Sequence, residues 1–122
     1  MKKYTFVVLT NAKDDRHDEF NTWYNERHVP DVLAVPGFVA AQRFRLAEAQ
    51  MGGRTDAPWK YLALYEIETD DLKGALDALS ARAGTDAMVL SDTLDTSTTG
   101  AFIFEPIAAR VTEQQAVLPR QR

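Results

Sequence analysis

His28 and Asp31 are the residues of this 122-residue sequence whose types and spacing most directly suggest chemistry. Three positions apart on a helix, they share a face. The carboxylate could reach the imidazole directly or through a water, raise its pKa and fix its tautomer, as a general acid and base requires. Tyr24 precedes His28 by one turn, and its hydroxyl could hydrogen-bond a substrate carbonyl or relay a proton. Phe20, Trp23 and Phe38 would form an apolar wall around the pair. Arg43, with Arg45 on one face of the next strand beside Val39 and Ala41, could hold an anionic group of a substrate.

Each of these residues also has a structural reading. His28 could cap carbonyls freed by Pro30, and Asp31 could cap the helix after a kink. Tyr24 and the three apolar rings could belong to an ordinary core. Arg43 could meet an Asp or Glu across a subunit interface.

Other chemistries lack their residues. The chain has no cysteine, hence no disulfide, thiolate ligand or cysteine nucleophile. His17 lies between Arg16 and Asp18 and reads as solvated, and three helical turns put it roughly 16 Å from His28, too far to share a metal. No glycine-rich nucleotide loop, His-Glu-x-x-His, Gly-x-Ser-x-Gly or calcium loop occurs. The segment SDTLDTST (91–98) offers oxygens without the spacing of a triad or a phosphate cradle. The expectation is a site that uses neither cofactor nor metal.

The elements that must position these residues follow from pattern. KYTFVVLT (3–10), rich in β-branched and aromatic residues, predicts a first strand, and NAKDD predicts a turn with helix-capping chemistry. From about Asp15 a helical period places His17, Phe20, Tyr24, His28, Asp31 and Val35 within roughly an 80° arc. Pro30 should kink that helix near His28, and Pro36-Gly37 should end it. FVAAQRFRLAEA (38–49) begins as a second strand, QMGGRTDAP (50–58) is a connection, and WKYLALYEIE (59–68) is a third strand. A second helix follows with Thr69 as N-cap, Leu72, Ala75, Leu76 and Leu79 at helical spacing, and a stop at Gly84. Thr85 to Gly100 reads as irregular, AFIFEP (101–106) as a last strand, and 107–122 as a disordered tail or an arm on a partner subunit. The domain is therefore 1–106.

Strand, helix, strand, strand, helix, strand predicts an α+β, ferredoxin-like βαββαβ fold with a four-stranded antiparallel sheet and its helices on one side. YTFVVL, WKYLALYEI and AFIF are apolar on both alternating faces, so both faces of the sheet should be covered. Two helices cover one face. A second subunit, sheet against sheet, would cover the other, which predicts a homodimer.

Composition narrows the partners. With 18 acidic and 14 basic residues the formal charge is −4, and the basic residues are scattered, so nucleic acid is excluded as a natural ligand. The N-terminal apolar run is too short and too often interrupted for a cleaved signal, and no stretch approaches the roughly 18 apolar residues that span a bilayer. A cytoplasmic protein without a membrane partner is expected.

DEFNTWYNERHVPDVLAVPGF in this strand order, with YLALYEIE as third strand, resembles the EthD-like branch of the dimeric α/β-barrel superfamily over residues 4–105. The resemblance implies homodimers whose two sheets form a barrel, with a hydrophobic cavity between each sheet and its helices. It also implies small cofactor-free enzymes, among them dehydratases, cyclases, isomerases and some oxygenases. In catalytic members the histidine of a W-x-x-x-x-H-x-P pattern is the acid/base, which here matches His28 with Trp23 and Pro30 in step. Roles for Tyr24 and Asp31 come from the spacing alone.

The functional expectation is a cofactor-independent lyase or isomerase that moves a proton on a small apolar carbonyl or phenolic metabolite. Two alternatives stand beside it: a non-catalytic accessory protein that binds a hydrophobic ligand, and an oxygenase without cofactor.

Overall fold

The computed structural model describes residues 1–117. Four strands, β1 (Lys2–Thr10), β2 (Phe38–Arg45), β3 (Tyr61–Thr69) and β4 (Gly100–Phe104), form one antiparallel sheet in the order β2-β3-β1-β4. Between β1 and β2, after a short 3-10 turn at Lys13–Asp15, the chain runs through α1 (His17–Trp23), a π-helical turn (Tyr24–His28) and α2 (Val29–Leu33). Helix α3 (Leu72–Arg82) joins β3 to β4. This is the expected ferredoxin-like βαββαβ arrangement.

The core lies between the helices and one face of the sheet. Register places Phe6 opposite Tyr65 and Tyr4 opposite Ile67, so alternate residues of the two central strands point the same way. Tyr65 and Ile67 pack there with Ala63 against Phe20, Tyr24, Val32 and Val35 of the first helical segment and Ala75 of α3. Fully burying such a large side chain contributes roughly 1.5–3 kcal/mol.

Two irregularities matter for the site. In β2 the pairing with β3 slips between Phe38 and Ala40, so that Phe38 pairs with Ile67, Ala41 with Tyr65 and Arg43 with Ala63. The extra residue at Val39 reverses the in-and-out alternation. Strict alternation from the buried Phe38 would turn Gln42 and Phe44 inward; the bulge turns Arg43 inward instead. Val39 itself is exposed. It does not share the face of Arg43, contrary to strict alternation along the strand. The second irregularity is the π-helical turn, described below.

Local chemistry explains most boundaries. α3 starts one residue after Asp71, whose Oδ1 accepts from the Gly74 N–H at 2.9 Å. Asp71, not Thr69, is therefore the N-cap; Thr69 Oγ1 accepts from the Asp71 N–H at 3.0 Å and shapes the approach to the helix. The helix stops at Arg82, two residues before Gly84, whose φ of +83° suits only glycine well. β2 is shorter than its apolar pattern suggested and ends at Arg45.

Among the described residues, nothing covers the opposite face of the sheet. Phe102 and Phe104 of β4 are 54% and 57% exposed, and Phe44 of β2 is also exposed. Val7, Leu9, Leu62 and Leu64 lie half-buried on the two central strands between them. After β4 the chain from Glu105 to Gln115 is exposed and includes the start of a short helix, α4 (Glu113–Val117). The last part of the expected tail, 118–122, lies outside the described residues. Among the described residues, no helix is long and apolar enough to cross a membrane.

Candidate functional site

The π-helical turn sets the positions of Tyr24 and His28. Pro30 has no N–H, and its ring crowds the carbonyl of Glu26, so regular α-helix cannot run through this point undisturbed. The chain takes up one extra residue just before it: the Val29 N–H bonds to the carbonyl of Tyr24, five residues back. The inward face shifts accordingly. Phe20 before the turn and Tyr24 at its start are buried, and Val32, not Asp31, is buried after it.

Among the described residues, no hydrogen bond joins the two residues expected to act as a pair. Asp31 is taken by Arg27, whose Nε donates to Oδ2 at 3.0 Å while its Nη2 donates to the carbonyl of Asp86 at 3.2 Å. The carboxylate thus ties the helix to the chain after α3 and does not orient His28. The His28 ring instead stacks on Trp23, with centroids 4.8 Å apart and planes at 27°, and meets the edge of Tyr24 at 4.9 Å. Trp23 is itself fixed, its Nε1 donating to the carbonyl of Val89 at 3.1 Å.

The electrostatics of His28 follow from this packing. Burial disfavours the charged ring and lowers its pKa to about 4; the nearby Asp31 opposes the shift and Arg43 adds to it. The expected rise above the ordinary value is therefore reversed, because desolvation outweighs a carboxylate engaged elsewhere. The imidazole is neutral at pH 7. Its Nδ1 is buried and, among the described residues, has no hydrogen-bond partner, a rare condition for a buried polar atom.

On the other side of Tyr24 the surroundings are polar. The Arg43 guanidinium lies over the Tyr24 ring at 4.2 Å and donates through Nη1 to Asn25 Oδ1 at 2.8 Å and through Nη2 to Asn21 Oδ1 at 2.9 Å. Burial lowers the Arg43 pKa, and burial raises those of Tyr24 and Tyr65, whose hydroxyls are hydrogen-bonded to each other at 3.3 Å. Asn21 Nδ2 donates to the Tyr61 hydroxyl at 3.3 Å, and that hydroxyl shares a hydrogen bond with His17 Nδ1 at 2.7 Å. A cavity of about 290 Å³ opens here, lined by Asn21, Asn25, Arg43, Phe44, Arg45 and Tyr61.

The structure thus gathers Phe20, Trp23, Tyr24, His28 and Arg43 around one buried tyrosine. Phe38 is not among them: it sits at the other end of β2 and packs edge-on against Phe6. His17, expected to be solvated, belongs to the polar cluster through Tyr61. Asn21, Asn25 and Tyr61 carried no motif; the one available signal was Asn21 and Asn25 at i, i+4, one helical turn apart and one residue beyond Phe20 and Tyr24. Among the described residues, no three His, Asp or Glu side chains gather as metal ligands would.

The family model described as "Domain of unknown function (DUF4286)" matches residues 3–74. None of the curated proteins matches the sequence. Several solved structures share the fold. One, from Shewanella loihica PV-4, described as a candidate monooxygenase, has a TM-score of 0.58 at 11% identity, over 88% of this chain and 97% of that one. The heme-degrader MhuD from Mycobacterium tuberculosis, solved with two hemes bound in its active site, gives 0.57 at 16% identity, over 88% and 99%. An EthD-like protein from Ralstonia eutropha JMP134 gives 0.56 at 15%, over 90% and 96%. At such identities the likeness is one of fold, and one fold hosts many activities.

Proposed function

The chain belongs to the DUF4286 family, and from its own residues we propose that it is a cofactor-independent lyase or isomerase in which His28 accepts and returns a proton of a small carbonyl or phenolic metabolite. One observation carries this reading: a neutral imidazole, clamped between Trp23 and Tyr24 on a π-helical turn, with a buried nitrogen that no described residue satisfies. Such turns occur often at functional sites. A neutral imidazole can take a proton without first losing one. Since Nδ1 has no fixed partner, the ring is also free to change tautomer, as a group that takes a proton on one nitrogen and gives one from the other requires. Tyr24 would polarise the substrate oxygen, and Phe20 and Trp23 would hold the apolar body.

The test is turnover of wild type and His28→Gln over a panel of enolisable and phenolic compounds as pH is varied. Loss of the imidazole should lower kcat/KM by roughly 10² to 10⁴ with the fold intact. The acid limb of the wild-type profile should lie near the lowered pKa of about 4, below the ordinary value of 6.5. An unaffected rate in His28→Gln would end the assignment.

A second reading is favoured by the tight aromatic packing at His28: a binding module for a hydrophobic ligand. It expects binding without conversion, weakened by Trp23→Ala and indifferent to His28→Gln.

The open apolar sheet face supports a homodimer in this same proposal, because Phe102, Phe104, Phe44 and the apolar residues between them form the kind of contiguous surface that a partner covers. Light scattering at micromolar concentration should give twice the 13.7 kDa mass of the chain; a single-chain mass would contradict it.

A further inference from the structure

We infer that the opening between β2 and α1 is an anion site that takes the carboxylate of an organic acid, with Arg43 as its central ligand and Arg45 and Asn25 at its mouth. The inference rests on the reading of His28 only in making this acid the substrate; the anion site itself stands on separate observations.

The first is a contrast among the arginines. The chain is acidic overall, and Arg16, Arg27 and Arg54 each meet carboxylates, Arg16 those of Glu19 and Asp92, Arg27 that of Asp31 and Arg54 that of Asp56. Among the described residues Arg43 meets none; Arg45, Arg82 and Arg110 also meet none, but Arg43 differs in being half-buried under a helix with its guanidinium over the Tyr24 ring. Its partners are two neutral amide oxygens and the face of Tyr24. These hold the guanidinium in place but leave its charge uncompensated, and a desolvated charge without a counter-ion is unfavourable.

The second observation is the cavity beside it. Two of its six lining residues are arginines, two are asparagines and none is acidic. Arg45 follows Arg43 on the same side of β2, since Arg43 pairs with Ala63 and Arg45 with Tyr61. The Asn25 amide nitrogen donates to no partner among the described residues and sits where Nη1 of Arg43 ends. The β-bulge at Val39 adds to the case, because without it Arg43 would point to the opposite face.

The chemistry of the ligand follows. A guanidinium presents N–H donors in one plane, which matches a carboxylate in two-point contact. The ring of Tyr61 lines the same cavity and suits a flat apolar body. An acid held here would pair with the guanidinium that lies over the Tyr24 ring, and His28 meets the edge of that same ring.

The experiment titrates the full chain with benzoate, benzamide and inorganic phosphate, following backbone amide shifts by NMR. Benzoate should shift the amides of Asn25, Arg43 and Arg45, and benzamide, of the same shape without the charge, should not. Arg45→Gln, an exposed and fold-neutral change, should weaken benzoate severalfold, and Arg43→Gln should weaken it about tenfold or more, as expected when a charge-assisted pair is lost. Equal binding of benzamide, or full benzoate affinity in both variants, would overturn the anion site. Phosphate binding more tightly than benzoate at the same residues would overturn the carboxylate assignment. No turnover is read, so a failed proton-transfer reading leaves a positive benzoate result standing, and a failed benzoate result leaves His28 untouched.

Discussion

The two helical segments that cover the sheet are built on opposite plans. α3 is regular: Asp71 caps it, Lys73 and Asp77 pair one turn apart, and one face carries Leu72, Ala75, Leu76 and Leu79 to the core. The first segment is interrupted at its middle by a π-helical turn, and its inward face changes register there. Apart from Tyr61 at the start of β3, the residues of chemical interest belong to the interrupted segment or to the bulged strand beneath it. Regular elements here supply packing, and the two irregular ones re-aim side chains that a regular period would have sent elsewhere.

The comparison can be broken most forcefully with acid. The lowered pKa of His28 means that the folded chain stays neutral at this ring where the unfolded chain takes up a proton. Between about 4 and 6.5, stability linked to His28 therefore falls as the pH falls; the loss is complete near 4 and absent above 6.5. The difference between those two values corresponds to about 3 kcal/mol in all. The carboxylates titrate in the same range, so the quantity to measure is the difference in urea-unfolding free energy between wild type and His28→Gln at pH 7 and at pH 4. That difference should move against the wild type by about 3 kcal/mol. A difference that stays constant with pH would mean that the interrupted segment holds His28 in water, and the contrast with α3 would lose its basis.

The same two irregularities mark how far the sequence could be read. Strand order, the antiparallel sheet, both helical segments and the apolar outer face follow from period and composition, because each depends on many residues that agree. The membership of the site was legible in part. Phe20, Trp23, Tyr24 and His28 precede or lie within the π-helical turn, so a 3.6-residue period places them correctly. Asp31 lies at helical spacing from two residues, His28 three before it and Arg27 four before it, and the spacing alone does not choose between them; in the structure Arg27 takes the carboxylate. Arg43 was recognised as a residue that a buried face should not hold, but its companions were not. Asn21, Asn25 and Tyr61 are ordinary polar residues until a helix and a bulged strand bring them together. His17 keeps 42% of its side chain exposed, as its charged neighbours suggest, but its hydrogen-bond partner Tyr61 lies 44 residues away and has no local signal.

The smallest effect belongs to the regular helix and sharpens the comparison from the other side. Asp71 accepts one backbone N–H, that of Gly74, and does nothing else for the fold that the first segment also needs. Gly74 is suited to this arrangement, because a β-carbon there would collide with the Asp71 carboxylate that caps the helix. Asp71→Ala should therefore cost about 1 kcal/mol, the usual value of one N-cap, measured by urea unfolding at pH 7. The π-helical turn has no side-chain cap to lose at its start; its geometry is set by Pro30 and by the rings of Trp23, Tyr24 and His28. Asp71→Ala should consequently leave the His28 imidazole resonances and their titration unchanged. If the cap mutation instead moves them, α3 and the interrupted segment are coupled through the core they share, and the division between a packing helix and a functional one does not hold.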